Sequence, residues 1–171
     1  MCIRDRFAGE HFGGYISFRI DATKFLKLGE NTITVCAQDD TRSPLQARGK
    51  QSELVYSHDC DYTRTTGIWQ TVYMEFCPES YIKNVKYYPN IADGTVTITA
   101  DLCGSGDFSA KAFWDGKEVG SKAVKTYGQT ATITLDLAEK HLWEVGNGRL
   151  YDVEIGFDKD KVTSYFGLRQ V

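Results

Sequence analysis

The chain has 171 residues, with 20 Lys and Arg against 23 Asp and Glu for a net charge of −3, and is long enough for one large or two small domains with a real core. Its cationic residues are scattered singly and form no basic stripe to neutralise phosphates, so nucleic-acid binding lacks an electrostatic basis. No apolar run nears the ~20 residues of a bilayer-crossing helix and the N-terminus lacks an apolar leader segment, so neither nucleic acid nor membrane is expected as a partner.

In chain order, residues 1–6 (Met-Cys-Ile-Arg-Asp-Arg) form a charged lead-in of non-native appearance that is expected to lie outside the strand pattern. From Tyr15 the period is two, with Tyr15, Ser17 and Arg19 alternating with Ile16, Phe18 and Ile20, which predicts a half-buried strand. Asp21 then caps a short apolar segment over 22–28, and Gly29-Glu30-Asn31 turns into a second strand over 32–37, with Ile33, Val35 and Ala37 on one face. Residues 38–61 have no period, and Pro44 opposes regular pairing there. A loop this long is usually functional or disordered, so it is a candidate binding element. Alternation returns over 67–77. Ile68, Val72, Met74 and Phe76 make the expected core face, while Trp69 and Tyr73 on the other face pack against another domain or stack on sugar rings.

Pro78-Glu79-Ser80 breaks the pattern and marks a domain boundary. Beyond it the spacing predicts seven short strands, over 82–88, 95–102, 109–114, 118–123, 131–137, 150–157 and 162–166. Asp93-Gly94 and Asp115-Gly116 are hairpin dipeptides, and Gly104-Ser105-Gly106 is a looser connection. Ile98, Ala100, Ala110, Ala112, Ile133 and Leu135 supply inward positions. Seven strands in about this length fit an immunoglobulin-like sandwich with its own core.

Five cysteines, Cys2, Cys36, Cys60, Cys77 and Cys103, form an odd set without a C-x-x-C pair. They are expected to be reduced and mostly buried, a usage that suits the cytoplasm. His58 and Cys60 stand beside Asp59 and Asp61, yet a zinc site needs three or four convergent ligands and no second cluster accompanies them. The segment therefore reads as a solvated acidic loop, and neither metal nor cofactor is expected.

Several segments together resemble a known family. Gly9-Glu10-His11-Phe12-Gly13-Gly14-Tyr15, Phe18-Arg19-Ile20-Asp21 and Gly29-Glu30-Asn31-Thr32 are similar to the sugar-binding jelly roll that begins glycoside hydrolase family 2 enzymes, the β-galactosidase and β-glucuronidase kind. The run Tyr62-Thr63-Arg64-Thr65-Thr66-Gly67-Ile68-Trp69-Gln70-Thr71-Val72 resembles the strand that closes that jelly roll. Leu142-Trp143 and Leu150-Tyr151-Asp152-Val153 resemble the end of the family's immunoglobulin-like second domain, with Gly146-Asn147-Gly148 replacing its usual proline-containing stretch. Tyr165-Phe166-Gly167-Leu168-Arg169 resembles the segment leading into the catalytic (β/α)₈ barrel.

The resemblance implies an all-β chain: part of a galactose-binding-like jelly roll over 7–78, an immunoglobulin-like sandwich over 79–160, and the start of a linker over 161–171. It also implies that the front of the jelly roll and the barrel lie outside this sequence. In the family both catalytic carboxylates sit on the barrel, where a retaining enzyme holds them about 5–5.5 Å apart. The family's Asn-Glu acid/base motif does not occur here; Glu30-Asn31 is its reverse. The chain is thus expected to be the non-catalytic part of a retaining hydrolase of O-glycosyl bonds in carbohydrate metabolism. Its partners are expected to be a β-linked sugar and its own barrel. Arg64, Tyr62 and Trp69 are the candidate substrate-binding residues: Arg64 through fork-shaped donors or as an interface ion pair, Tyr62 and Trp69 as aromatic platforms. The competing reading is a stand-alone carbohydrate-binding or adhesive sandwich, which would saturate with oligosaccharide unaided.

Overall fold

The structure is a computed structural model that describes residues 1–40, 42–43 and 45–169. Ten β-strands and no helix occur among the described residues, so the chain is all-β. It divides into two compact units, Met1–Met74 and Glu75–Val171.

The second unit is an immunoglobulin-like sandwich of seven strands. These are β4 (Tyr81–Asn90), β5 (Thr95–Cys103), β6 (Gly106–Trp114), β7 (Lys117–Thr126), β8 (Thr130–Asp136), β9 (Tyr151–Phe157) and β10 (Asp160–Phe166). They pair antiparallel in two sheets, ordered β4-β5-β8 and β10-β9-β6-β7. All seven expected strands form, because period-two alternation fixes which face of each strand turns inward. On β5, Val96, Ile98, Ala100 and Leu102 are buried, and β9 alternates likewise through Tyr151, Val153, Ile155 and Phe157. Every expected inward residue is in this core, joined by Phe108, Val119, Leu137, Phe166 and Leu168. Gly120 lets β7 pass over the opposite sheet, since a Cβ there would lie 2.8 Å from the Asp136 carbonyl oxygen.

The turns follow from residue type. Asp115 and Gly116 both have positive φ (48° and 76°), the two-residue hairpin that their dipeptide predicts. Asp93-Gly94 instead closes a four-residue loop, because Asn90 Oδ1 accepts the Ala92 and Asp93 N–H groups and widens the turn. At one end of the core Tyr151 stacks on Phe166, with centroids 5.0 Å apart, and Trp114 stacks on His141 at 3.9 Å. The buried Tyr151 hydroxyl donates to the Glu139 carbonyl at 2.8 Å and accepts the His141 N–H at 2.6 Å. Burial pushes its pKa up.

Glu139 itself bridges two side chains, with Lys117 Nζ 2.6 Å from one carboxylate oxygen and His141 Nε2 3.1 Å from the other. The Lys117 hydrogen bond, and after it that of His141, hold this carboxyl below its ordinary value of 4.5. A depressed carboxylate contributes stability above its unfolded pKa and loses that contribution as pH falls through the folded value. The sandwich is therefore expected to melt at lower temperature as pH drops below about 4.5, and Glu139→Gln to flatten that fall slightly, since the pair is exposed and screened. Melts from neutral pH to about pH 3 check this; an unaltered slope in the variant contradicts it.

The first unit departs from the sequence expectations. Its strands are β1 (Cys2–Ile3), β2 (Arg6–Phe7) and β3 (Ile33–Thr34), in the order β2-β1-β3. The lead-in expected to stand outside the strand pattern supplies the central strand of that sheet. Arg4 and Asp5 take φ of 50° and 61° to make the hairpin turn, Ile3 is buried, and the Arg6 guanidinium donates to the Lys24 and Phe25 carbonyls. Of the strand expected over 32–37 only two residues pair, and those over 15–20 and 67–77 form no ladder, with bends at 15–16, 67 and 70. A strand needs a neighbour to take its N–H and C=O groups, and the described residues provide none there. The intended core face, Ile68, Val72, Met74 and Phe76, is consequently exposed. No disulfide joins the five cysteines, and, against the expectation of buried thiols, none is buried: Cys36, Cys60 and Cys77 are exposed and Cys2 and Cys103 half-buried. Cys2, Cys36 and Cys60 lie in this unit, which lacks a closed core, whereas Cys77 precedes β4 and Cys103 ends β5. Pro44 lies outside the described residues.

Candidate functional site

The aperiodic stretch over 38–61 and the run over 62–66 form one stitched substructure in the first unit. Tyr62 donates its N–H to the Lys50 carbonyl and Ser52 donates its own to the Tyr62 carbonyl, both at 2.7 Å, so that Gln51 and Tyr62 form a parallel bridge. Thr65 N–H donates to Gln51 Oε1 at 2.9 Å. Asp39 accepts from Thr66 Oγ1 at 3.1 Å and also from the Gln46 amide. His58 and Asp61 bond reciprocally across a tight turn in which Asp59 has a φ of 46°, a strain Asp tolerates better than most residues.

Ser52, fully buried, lies at the centre. Its hydroxyl donates to the Tyr56 carbonyl at 2.9 Å, accepts the Leu54 N–H at 3.0 Å, and lies 3.1 Å from His58 Nδ1. His58 Nε2 faces Asp61 Oδ2 at 3.8 Å. These residue types match a nucleophilic triad, but the arrangement does not. The serine is shut off from solvent, and its one proton is given to a carbonyl that can only accept.

Each expected site residue has its own support. Tyr62 is 62% exposed and held by its backbone to residues 50–52. Trp69 is 67% exposed, and its indole N–H donates to the Gly14 carbonyl at 2.8 Å. That bond leaves the ring faces, but not the polar edge, for a ligand. Arg64 is half-buried and engaged with neighbours. The ordering residues, Ser52 and His58 above all, were not foreseen as a pair. They are six apart in a stretch without period, where no spacing rule applies. The described residues hold no group of three or more His, Cys, Asp or Glu able to bind a metal. His58 is committed to Ser52 and Asp61.

Three carboxylates elsewhere, Asp21, Glu118 and Glu139, are shifted away from acid catalysis. Ser121 first, and then Lys111, hold Glu118 down, as Lys117 holds Glu139 and Thr23 holds Asp21. A general acid working near neutrality needs the opposite shift.

Comparison with known proteins gives the context. The chain is 25% identical over 148 residues to a putative beta-glucuronidase of Formosa agariphila, covering 86% of this chain and 17% of that protein. It is 29% identical over 104 residues to a beta-galactosidase of Thermoanaerobacter pseudethanolicus, covering 57% and 13%. The chain thus spans less than a fifth of the length of these curated relatives. Among solved structures, a β-glucuronidase of Ruminococcus gnavus in complex with D-glucaro-δ-lactam superposes with a TM-score of 0.44 at 20% identity, over 54% of this chain and 16% of that one. The model of the glycosyl hydrolases family 2 matches residues 80–169, more than half of the chain and all seven strands of the sandwich, and on that match the chain belongs to this family.

Proposed function

We propose that this chain is the non-catalytic, sugar-receiving part of a larger hydrolase of β-glycosidic bonds, of β-galactosidase or β-glucuronidase type. The observation that carries the reading is family membership in a chain that spans under a fifth of its glycosidase relatives. In this reading 7–78 belongs to a jelly roll, 79–160 is an immunoglobulin-like brace, and 161–171 leads toward a (β/α)₈ barrel carrying the two carboxylates of a retaining mechanism. The shifts of Asp21, Glu118 and Glu139 support it, since all three carboxyls are held in the ionised form. Chemistry is then done on the barrel, while loops set on rigid sandwiches shape the entrance.

Arg64 offers planar donors to sugar hydroxyls, and Tyr62 and Trp69 offer ring faces to the apolar side of a pyranose. In the full-length protein, Arg64→Ala is expected to raise KM for a 4-nitrophenyl β-glycoside by about tenfold, the loss of one charge-assisted hydrogen bond, or to lower the melting temperature if it pairs at a domain interface. If neither changes, Arg64 has no such role. Titration of the isolated chain with oligosaccharides separates this reading from that of a self-sufficient binding module: saturation without the barrel would favour the module.

A further inference from the structure

We propose that Ser52 and His58 form a buried polar staple that positions the run over 62–66, with His58 held in the form that carries its proton on Nδ1. The inference rests on the reading of that run as sugar-facing. It begins from a count of protons. The Ser52 hydroxyl has one, and its 2.9 Å contact with the Tyr56 carbonyl is attractive only if that proton points there. The contacts with Leu54 N–H at 3.0 Å and with His58 Nδ1 at 3.1 Å then both require Ser52 Oγ as acceptor, so Nδ1 bears hydrogen. The other ring nitrogen lies 3.8 Å from Asp61 Oδ2, beyond hydrogen-bond reach, so the ring is oriented through Nδ1, and the Tyr56 ring meets it edge-on at 6.3 Å.

The same serine grips the run directly, because its backbone N–H is donated to Tyr62 at 2.7 Å. One residue therefore joins the interior of the loop to the segment bearing Tyr62 and Arg64. Removing the hydroxyl leaves the Leu54 N–H, the Tyr56 carbonyl and the His58 N–H, all part-buried, without their shared partner, and groups so stranded rearrange or draw in water. Ser52 and His58 are positioning residues: neither touches substrate.

The test uses the full-length protein with 4-nitrophenyl β-D-glucuronide and β-D-galactoside as substrates. Ser52→Ala and His58→Phe are expected to raise KM by about tenfold while kcat stays within about twofold, because binding geometry is lost but the barrel is intact. His58→Asn, whose amide N–H takes the place of Nδ1–H, is expected to keep KM near that of the parent. If Ser52→Ala does not fold, the two His58 variants decide the matter between them. Unchanged KM in His58→Phe, or equal KM in His58→Phe and His58→Asn, overturns the staple. Should Tyr62→Ala and Arg64→Ala leave KM unchanged, the sugar-facing reading fails instead. The staple then stands if His58→Phe lowers the melting temperature and His58→Asn does not, and falls if the two melt alike.

Discussion

Phe108→Ala is expected to destabilise the seven-strand sandwich by about 3–5 kcal/mol, the range for truncating a buried aromatic with incomplete collapse of the cavity. Phe108 is fully buried in β6, directly across from Phe157 of β9, and both side chains are wholly enclosed in the core. Single domains are stable by only about 5–15 kcal/mol, so the variant loses a large share of that and melts on the order of 20 °C lower. Phe76→Ala supplies the control within the same unit. That ring is 88% exposed, and its removal is expected to change stability by no more than about 0.5 kcal/mol. Thermal and denaturant melts of both variants check the contrast; equally large losses would place Phe76 in a core, and equally small ones would place Phe108 outside one.

Amide exchange is expected to divide the chain just as sharply. The sandwich has 18 buried core residues and strands of 7 to 10 residues. Among the described residues of the first unit the buried apolar ones are Ile3 and Phe25, and each strand is two residues long. Exchange protection tracks the free energy of opening, so amides at the centres of β5, β6 and β9 should exchange slower than those over 15–20 and 68–76 by roughly three orders of magnitude or more. Phe12, Leu28, Trp69 and Phe76 are among the many apolar side chains exposed outside the sandwich, and surfaces of this kind associate unless covered. Hydrogen-exchange mass spectrometry at low protein concentration gives the answer, and equal protection in the two units would contradict it.

The two units show which parts of a fold a sequence announces. The seven strands were legible because each carried its own alternation and its own turn residues, and because their partners lay within the same hundred residues. The segments over 15–20 and 67–77 alternate just as clearly, but alternation says only which side chains share a face. It does not supply the neighbouring strand. The Arg4-Asp5 turn was invisible for another reason: neither residue is Gly or Asn, the types that signal positive φ. In the candidate site, alternation placed Trp69 opposite the apolar face. Ile68, Val72, Met74 and Phe76 are exposed as well, so its exposure comes from the lack of a neighbouring strand among the described residues and not from its face. The Ser52 and His58 contacts depend on how an aperiodic loop closes on itself, which composition does not encode. The family resemblance added what no local rule supplies, the kinship of the sandwich with the glycosyl hydrolases family 2.

The central claim is that this part of the protein receives a sugar and does not cleave it. The most direct measurement is release of 4-nitrophenol from 4-nitrophenyl β-D-glucuronide and β-D-galactoside by the purified 171-residue chain. The rate is expected to equal that of buffer at every enzyme concentration and at every pH where the sandwich stays folded. A rate that scales with protein, saturates with substrate and survives repurification would contradict the claim, because it would require a working pair of carboxylates within these residues.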